Sequence, residues 1–221
     1  MEKPMITEDC VKTIAGTRFV SLYDLQYAEG KHYYNASRRK TEDLVCVKSD
    51  EEFRTMLPDA VSCIVVLKTP ADEPRLLLFK EFRYPAGQYL LSVPAGLVDP
   101  EDKEKEEPLV ETAIREIREE TGLEIKETDR VRVVNPFVFC TPGMTDESNG
   151  FVVAEVNLQE LPNLNHDGAV GTECFEEGFS LITVGEAREI LKNGRDNQGI
   201  FLPMHTWVGL LFFVSGLWEN L

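Results

Sequence analysis

One stretch of the sequence, residues 94–123, constrains the fold more than any other. Its second half predicts a helix, because Pro108 suits a first helical turn and Gly122 supplies a stop. At about 100° per residue, the apolar side chains of this helix fall on one face. Those side chains are Leu109, Val110, Ala113, Ile114 and Ile117. The helix is therefore expected to pack against a core.

Three glutamates border this apolar face. Glu116 and Glu120 lie four residues apart along its edge, and Glu119 lies just beyond them. Glu120 projects close to the apolar stripe, where an ionised carboxylate is costly unless something compensates its charge. A divalent cation would compensate it, because Mg2+ takes oxygen ligands and keeps waters and substrate phosphates in its shell. The alternative is a solvated surface helix, in which Arg115 and Glu119 form an i,i+4 pair.

The spacing of the charged residues favours the metal-binding interpretation. The run R-E-I-R-E-E-T-G-L at 115–123 follows Glu107 by eight residues, with a Gly upstream. This pattern resembles the Nudix box, G-x5-E-x7-R-E-U-x-E-E-x-G-U, where U is aliphatic. Every fixed position from Glu107 to Leu123 matches. Gly96 departs from the pattern, because it lies eleven residues before Glu107 instead of six.

The five extra residues belong to a polar, Pro-containing run, D-P-E-D-K-E-K-E. This run predicts a lengthened loop before the helix, and loop insertions carry a mild thermodynamic cost. Deleting residues 101–105 is expected to leave folding and hydrolysis intact, although substrate access at the neighbouring metal site could change.

Length, charge and cysteine usage limit the class of protein. A chain of 221 residues holds one domain of ordinary size plus a small extra one. Its net charge of -16 argues against nucleic-acid binding, which needs a clustered basic surface. The five cysteines are scattered, without a C-x-x-C pair, and predict reduced thiols in a cytoplasmic protein. No apolar signal-peptide core is seen in residues 1–15.

Residues 200–218 contain no Asp, Glu, Lys or Arg and are nearly long enough to span a bilayer. Pro203, His205 and two glycines interrupt the segment, and no flanking basic cluster follows it. We therefore expect a buried or subunit-interface helix and no membrane association, with a transmembrane span as the less favoured alternative.

The remaining chain alternates predicted strands with few helices. Strands are predicted at residues 18–27, 31–39 and 44–48, and they would form a small antiparallel β unit over residues 1–57. Residues 58–221 would form the main domain, with predicted strands at 61–68, 75–83, 89–93, 131–139 and 150–157 and a helix at 184–192. This order resembles the Nudix α/β/α sandwich, an α/β fold with a mixed sheet, preceded by an N-terminal β unit.

The resemblance implies roles for residues of the box. Glu116, Glu119 and Glu120 would hold Mg2+, or Mn2+ in its place, together with the main-chain carbonyl of Ala95. Arg115 would orient the carboxylates through charge-assisted hydrogen bonds.

Two further stretches narrow the resemblance to the ADP-ribose pyrophosphatase branch. Residues 80–96, from K-E-F-R-Y to P-A-G, resemble the strand that enters the box in that branch, where an Arg at the position of Arg83 contacts the diphosphate. The loop T-P-G-M-T-D-E-S at 141–148 resembles one that carries a Glu acting as general base or metal ligand. Glu147 fits that role, Asp146 is its neighbouring competitor, and a box glutamate such as Glu119 remains an alternative base.

The function implied is Mg2+-dependent hydrolysis of ADP-ribose or a similar nucleoside diphosphate sugar. The alternatives are the same chemistry on another nucleotide sugar, such as GDP-mannose, and a non-catalytic module that binds ADP-ribose as a sensor. Such modules usually lose box carboxylates, which are all present here. A homodimer is expected, because residues 1–57 have too little apolar material for a core and the C-terminal segment has an excess of it. The aromatic residues that bind the base and the role of Cys174 stay undefined.

Overall fold

The structure, a computed structural model, describes residues 4–169 and 173–219. The chain divides into two compact units. The first contains Met1–Asp59 and Phe137–Asn149, and the second contains Ala60–Pro136 and Gly150–Leu221. A separate role for residues 1–57 as a domain stays a prediction.

The first unit contains a small antiparallel sheet, as predicted. Its strands are β1 (Val11–Gly16), β2 (Ser21–Ala28) and β3 (Lys31–Ser37), in the order β1-β2-β3. Strand β1 was not predicted, whereas the predicted strand at 44–48 is wrong. That segment contains a 3-10 helix, Val45–Val47.

The reason for the error lies in the small apolar cluster of this unit. Tyr23, Leu25 and Leu44 are buried in it, and Cys46 and Val47 pack against them. A 3-10 helix has about three residues per turn, so Leu44 and Val47 fall on the same side, where a strand would separate them. Helix α1 (Asp50–Thr55), also unpredicted, follows, and its N-terminus has a capping box between Ser49 and Glu52.

The second unit is built on a mixed seven-stranded sheet in the order β10-β5-β4-β9-β8, with β6 beside β5 and β7 beside β4. These strands are β4 (Ala60–Lys68), β5 (Arg75–Arg83), β6 (Gln88–Ser92), β7 (Ala95–Leu97), β8 (Arg130–Phe139), β9 (Ser148–Asn157) and β10 (Phe175–Ile182). Five of the seven match predicted strands. The short β7 and the strand β10 were not predicted, because neither shows a long apolar alternation.

Within the described part of this unit, four α-helices accompany the sheet: α2 (Pro100–Lys103), α3 (Pro108–Thr121), α4 (Val184–Asn193) and α5 (Met204–Ser215). The contacts of strand β4 show on which face of the sheet two of these helices lie. The Cys63 thiol lies 3.9 Å from the Ala113 carbonyl oxygen of α3. A Cβ on Gly209 of α5 would lie 3.8 Å from Ile64. Since neighbouring strand residues point to opposite faces, α3 and α5 cover opposite sides of the sheet.

The box helix is observed over the predicted residues. It begins at Pro108, buries Leu109, Ala113 and Ile117, and ends at Thr121, followed by Gly122, whose φ of 67° is left-handed. A residue with a Cβ resists that conformation, which explains the Gly at the stop.

The C-terminal segment folds as the partly buried helix α5, whose buried residues are Thr206, Gly209, Leu210 and Phe213. Within the described residues, no helix is long and apolar enough to cross a membrane. The prediction that this segment leaves an excess of apolar material exposed is partly wrong, because Phe213 and Trp218 are buried within the chain. Exposed apolar side chains do remain nearby, at Met204, Leu211 and Leu217. All five cysteines are free thiols.

Candidate functional site

Two buried glutamates on α3 form the centre of the candidate site. Glu116 and Glu120 stand one helical turn apart, and only 6% and 2% of their surfaces are exposed. They therefore lie at the boundary between the helix and the sheet, as the sequence predicts. Glu119 is half-buried beside them.

Strand β7 holds these carboxylates from the other side. The main-chain N–H of Ala95 donates to Oε2 of Glu120 at 2.9 Å. A Cβ built on Gly96 would lie 1.9 Å from Oε1 of Glu116, so any other residue here would displace that carboxylate. Gly96 therefore leaves the space that the Glu116 carboxylate occupies against the strand. The contact also shows that Gly96 stands against the box helix despite the five extra residues.

Arg115 joins the carboxylates to the preceding segment through a branched network. Its Nη1 donates to Oε1 of Glu116 at 2.7 Å and to Oε2 of Glu119 at 3.2 Å. Its Nη2 donates to the Leu97 carbonyl and to Oδ2 of Asp102, both at 2.9 Å. The predicted i,i+4 pair with Glu119 is thus one branch of a larger network.

The contact with Asp102 corrects the expectation that the inserted run is only a loop. Residues 100–103 form the short helix α2, with a capping box between Asp99 and Asp102. Asp102 is buried, and Arg115 holds the pKa of its carboxyl below the usual range against the cost of burial. The insertion therefore supplies a partner to the box arginine.

Burial dominates the electrostatics of the two central glutamates. Desolvation raises the pKa of Glu116 to about 7, although Arg115 opposes this shift. Desolvation also raises the pKa of Glu120 well above its usual value, against the hydrogen bond from Ala95. Repulsion adds to both shifts, since Glu116 raises the pKa of Glu120 and Glu119 raises the pKa of Glu116. The pair is therefore short of positive charge, a condition that marks functional sites.

Two further glutamates, which the sequence analysis missed, take part in this repulsion. Glu173 raises the pKa values of Glu116, Glu120 and Glu81. Glu81 is buried on β5 and pairs with Arg83 at 2.7 Å. A charged residue inside the apolar run of β5 was a signal that could have found Glu81. Glu173 is exposed just before β10, and no sequence pattern marks it.

The side chains present fit a divalent cation. Carboxylate oxygens are the ligands that Mg2+ prefers, and the Glu116–Glu120 pair lacks the positive charge that a cation would bring. The open face of Gly96 keeps side-chain atoms away from Glu116. Within residues 4–169 and 173–219, no three acidic, His or Cys side chains are already gathered as a ligand cluster. In the structure Arg115 and the Ala95 N–H hold the carboxylate oxygens instead.

Arg83, the predicted diphosphate contact, ends strand β5. Its side chain is 38% exposed while one Nη donates to Glu81, so part of its donor set faces solvent. Its role toward a substrate stays a prediction.

Glu147, the predicted general base, belongs to the first unit. Its side chain is 41% exposed and lies 3.4 Å from Nε of Arg38. Its neighbour Asp146 accepts a hydrogen bond from the main-chain N–H of Val45, which gives that carboxylate a structural role. The hairpin that carries both is closed by a hydrogen bond from Cys140 N–H to the Glu147 carbonyl at 2.9 Å.

Comparisons with known proteins place this chain in a family. The model of the NUDIX domain matches residues 56–202, more than half of the chain. The chain therefore belongs to the Nudix family, as the box predicted.

The similar curated proteins include pyrophosphatases that act on ADP-linked sugars. The ADP-sugar pyrophosphatase of Mus musculus is 34% identical over 123 residues, which cover 56% of this chain and 52% of that protein. The ADP-ribose pyrophosphatase of Saccharomyces cerevisiae is 33% identical over 124 residues, covering 56% and 50%. The chain spans about half the length of these two relatives. The ADP-ribose pyrophosphatase of Bacillus subtilis is 30% identical over 137 residues, covering 60% and 65%. These matches support the ADP-ribose pyrophosphatase-like branch of the family.

One solved structure is similar over the whole chain. The crystal structure of an ADP compounds hydrolase superposes with a TM-score of 0.57 at 18% identity, covering 100% of this chain and 96% of that one. At this identity the likeness shows the fold alone, and it confirms the predicted Nudix architecture.

Proposed function

We propose that this chain hydrolyses the diphosphate bond of ADP-ribose or a similar nucleoside diphosphate sugar. The products would be a nucleoside monophosphate and a sugar phosphate. The observation that carries this proposal is the buried pair Glu116 and Glu120, held against Ala95 and Gly96. The names of the Mus musculus and Saccharomyces cerevisiae relatives specify ADP-sugar and ADP-ribose, which supports the substrate class.

The proposed cofactor is Mg2+, or Mn2+ in its place. Glu116, Glu119, Glu120 and the main-chain carbonyl of Ala95 would hold it. When bound, such ions neutralise the charge of a diphosphate and acidify water at neutral pH.

Residues of the chain itself would orient the reacting groups. Arg115 fixes the carboxylates of Glu116 and Glu119 by charge-assisted hydrogen bonds. The Ala95 N–H fixes Glu120. Arg83 would bind a diphosphate oxygen, because its planar guanidinium offers several donors in a fixed geometry and part of it is exposed.

Two carboxylates compete for the role of general base. Glu147 was predicted from its loop, and its exposed side chain is paired with Arg38. Glu173 raises the pKa values of Glu116 and Glu120 by repulsion, which makes it a second candidate. We propose Glu147 as the general base and Glu173 as the alternative.

The proposal also includes the oligomeric state and the cellular location of the protein. A cytoplasmic homodimer would cover exposed aromatic side chains of the first unit, among them Phe19 and Tyr34, at 67% and 57% exposure. Surface aromatics of this kind suit both subunit contacts and stacking on an adenine base.

A panel of nucleotide sugars tests the activity directly. The full-length protein would be incubated with Mg2+ and ADP-ribose, ADP-glucose or GDP-mannose, and the products separated by chromatography. We expect AMP and ribose 5-phosphate from ADP-ribose. As a matched control, Glu111→Gln changes an exposed glutamate of the same helix and should keep full activity.

Two other outcomes would change the proposal. Faster hydrolysis of GDP-mannose would leave the proposed reaction unchanged and indicate that guanine, not adenine, is the preferred nucleobase. Tight binding of ADP-ribose without any hydrolysis, with either metal, would contradict catalysis and indicate a sensor.

A further inference from the structure

The segment of residues 165–168, here called the capping segment, lies against the C-terminal end of α3. The Asn165 N–H donates to the Thr121 carbonyl at 3.0 Å. Nδ1 of His166 lies 2.5 Å from the carbonyl oxygen of Glu120. A Cβ on Gly168 would approach the Glu119 carbonyl oxygen to 2.8 Å. The segment thus touches the main chain of three consecutive residues, two of which are glutamates of the box.

These contacts supply hydrogen bonds that the end of an α-helix lacks. The last carbonyls of an α-helix have no partner within the helix and require other donors. At the end of α3, the Gly122 N–H bonds back to Arg118. The carbonyls of Glu120 and Thr121 receive their hydrogen bonds from the capping segment instead. The close approach at Gly168 requires a residue without a side chain.

The hydrogen bond of His166 defines the state of its ring. A carbonyl oxygen only accepts, so Nδ1 must carry a hydrogen and donate it to Glu120. Nε2 is buried and has no hydrogen-bond partner within the described residues. The ring is therefore held by a single hydrogen bond, and its orientation must come from packing.

Two phenylalanines of β10 provide that packing. The ring of His166 stacks on Phe175, with centroids 4.3 Å apart and planes at 5°. It also stacks on Phe179, at 4.4 Å and 26°. Phe79 of β5 meets the ring edge-on at 5.4 Å. The imidazole therefore links the last turn of α3 to two strands of the sheet.

We propose that His166 is a positioning residue for the metal centre. By binding the Glu120 carbonyl from a ring clamped on β10, it sets the last turn of α3 and with it the side chains of Glu119 and Glu120. This inference rests on the proposed function, in which these glutamates hold the metal. A purely structural cap would stabilise the chain without affecting metal affinity, and the two roles can be separated.

Three variants of the full-length chain separate them. His166→Phe keeps an aromatic ring in the stack and removes the hydrogen bond. His166→Gln restores a side-chain N–H donor, and Leu210→Ala truncates a buried side chain of α5, on the opposite side of the sheet from α3. Binding of Mn2+ alone would be measured by electron paramagnetic resonance, with melting temperatures and kcat and KM on the same samples.

We expect His166→Phe to weaken Mn2+ binding by about tenfold or more, as loss of a residue that orients metal ligands does. His166→Gln should recover part of that loss. Leu210→Ala should lower the melting temperature and change Mn2+ affinity by less than about twofold. Wild-type Mn2+ affinity in His166→Phe, or an equal loss in Leu210→Ala, would overturn the proposal.

A measurement on the unmodified protein keeps the test independent of folding. The chain has three histidines, so their imidazole 15N signals can be assigned. We expect His166 as the neutral tautomer with hydrogen on Nδ1, and hydrogen on Nε2 instead would overturn the proposal. If the wild type binds Mn2+ but hydrolyses no nucleotide sugar, the proposed activity fails, while the affinities still decide the role of His166. Absence of Mn2+ binding in the wild type would overturn both.

Discussion

The main-chain N–H of Ala95 and the carboxylate of Glu120 form a 2.9 Å hydrogen bond between β7 and α3. This contact brings the residue before Gly96 to a buried carboxylate twenty-five residues further along the chain. The hydrogen bond therefore connects strand β7, at the start of the box, to helix α3, at its end. The proposed metal site is therefore a junction between two elements, and substitutions on either side should disturb it.

Glu120→Gln should abolish turnover without unfolding the protein. The change removes the charge of a proposed metal ligand and nearly keeps its volume, and losing such a contact costs several kcal/mol in the transition state. The metal-free variant should melt no lower than the wild type, because a buried carboxylate is costly to ionise. Steady-state rates at saturating Mg2+ and thermal melts check both expectations. Turnover within about twofold of wild type would show that the site is misplaced.

Asp102→Asn should lower activity by about tenfold, because partners that orient the groups around a metal affect its function by about 10–100-fold. Asp102 is buried and accepts a hydrogen bond from Nη2 of Arg115. The matched control is Glu101→Gln, an exposed change in the same short helix. For the same reason, deletion of residues 101–105 should now reduce hydrolysis, contrary to the expectation from sequence. A fully active deletion variant would contradict this account of Asp102.

Glu147→Gln should lower kcat by about 10²–10⁴ and leave KM nearly unchanged, as removal of a general base does. Glu173→Gln, measured in parallel, removes a charge that raises the pKa values of Glu116 and Glu120 and should have the smaller effect. Rescue of either variant by excess Mg2+ would indicate a metal ligand in place of a base. The reverse order of effects would transfer the role of general base to Glu173.

His205 should make the folded state sensitive to acid. Burial, aided by the nearby Arg83, lowers its pKa from 6.5 to about 4. Between these values the unfolded chain binds more protons, so stability is present above pH 6.5 and is lost as pH falls toward 4. The loss would reach about 3 kcal/mol at most.

Thermal melts of His205→Leu and wild type at pH 7.5 and 5 test this effect. The variant should lose less of its melting temperature between the two pH values. Met204→Leu, an exposed and non-titrating change next to it, should behave as wild type. Equal acid sensitivity in all three proteins would exclude His205 as the cause.

A homodimer should be visible by light scattering at micromolar concentration, with twice the 25.0 kDa chain mass. The reason is the apolar surface that the chain leaves exposed, including Phe19 and Leu211. Loss of the dimer in the Phe19→Ser variant would show that the first unit takes part in the subunit interface. A fully active monomer at about 1 µM would contradict the dimer, because a dimer that completes the site must persist where activity is measured.

Short-range patterns in the sequence were sufficient for the box helix and most of the large sheet. The box helix was predictable because its start, apolar face and stop all follow from the 3.6-residue period and from Pro108 and Gly122. Strand β5 was predicted to the residue, because its apolar run is bounded by clear turn signals. The 3-10 helix at Val45–Val47 was missed, because Leu44 and Cys46 also alternate as in a strand, and only the packing shows that Val47 joins them on the same side.

The sequence by itself determined the family, the box helix and the glutamates Glu116, Glu119 and Glu120, because all of these depend on residues within a few turns of one another. Only the tertiary structure decided which distant groups meet them. Asp102 reaches Arg115 through the inserted run, Glu173 repels the box carboxylates from before β10, and His166 caps Glu120. These interactions join residues 13 to 57 positions apart, where side-chain periodicity carries no information and packing alone selects the neighbours.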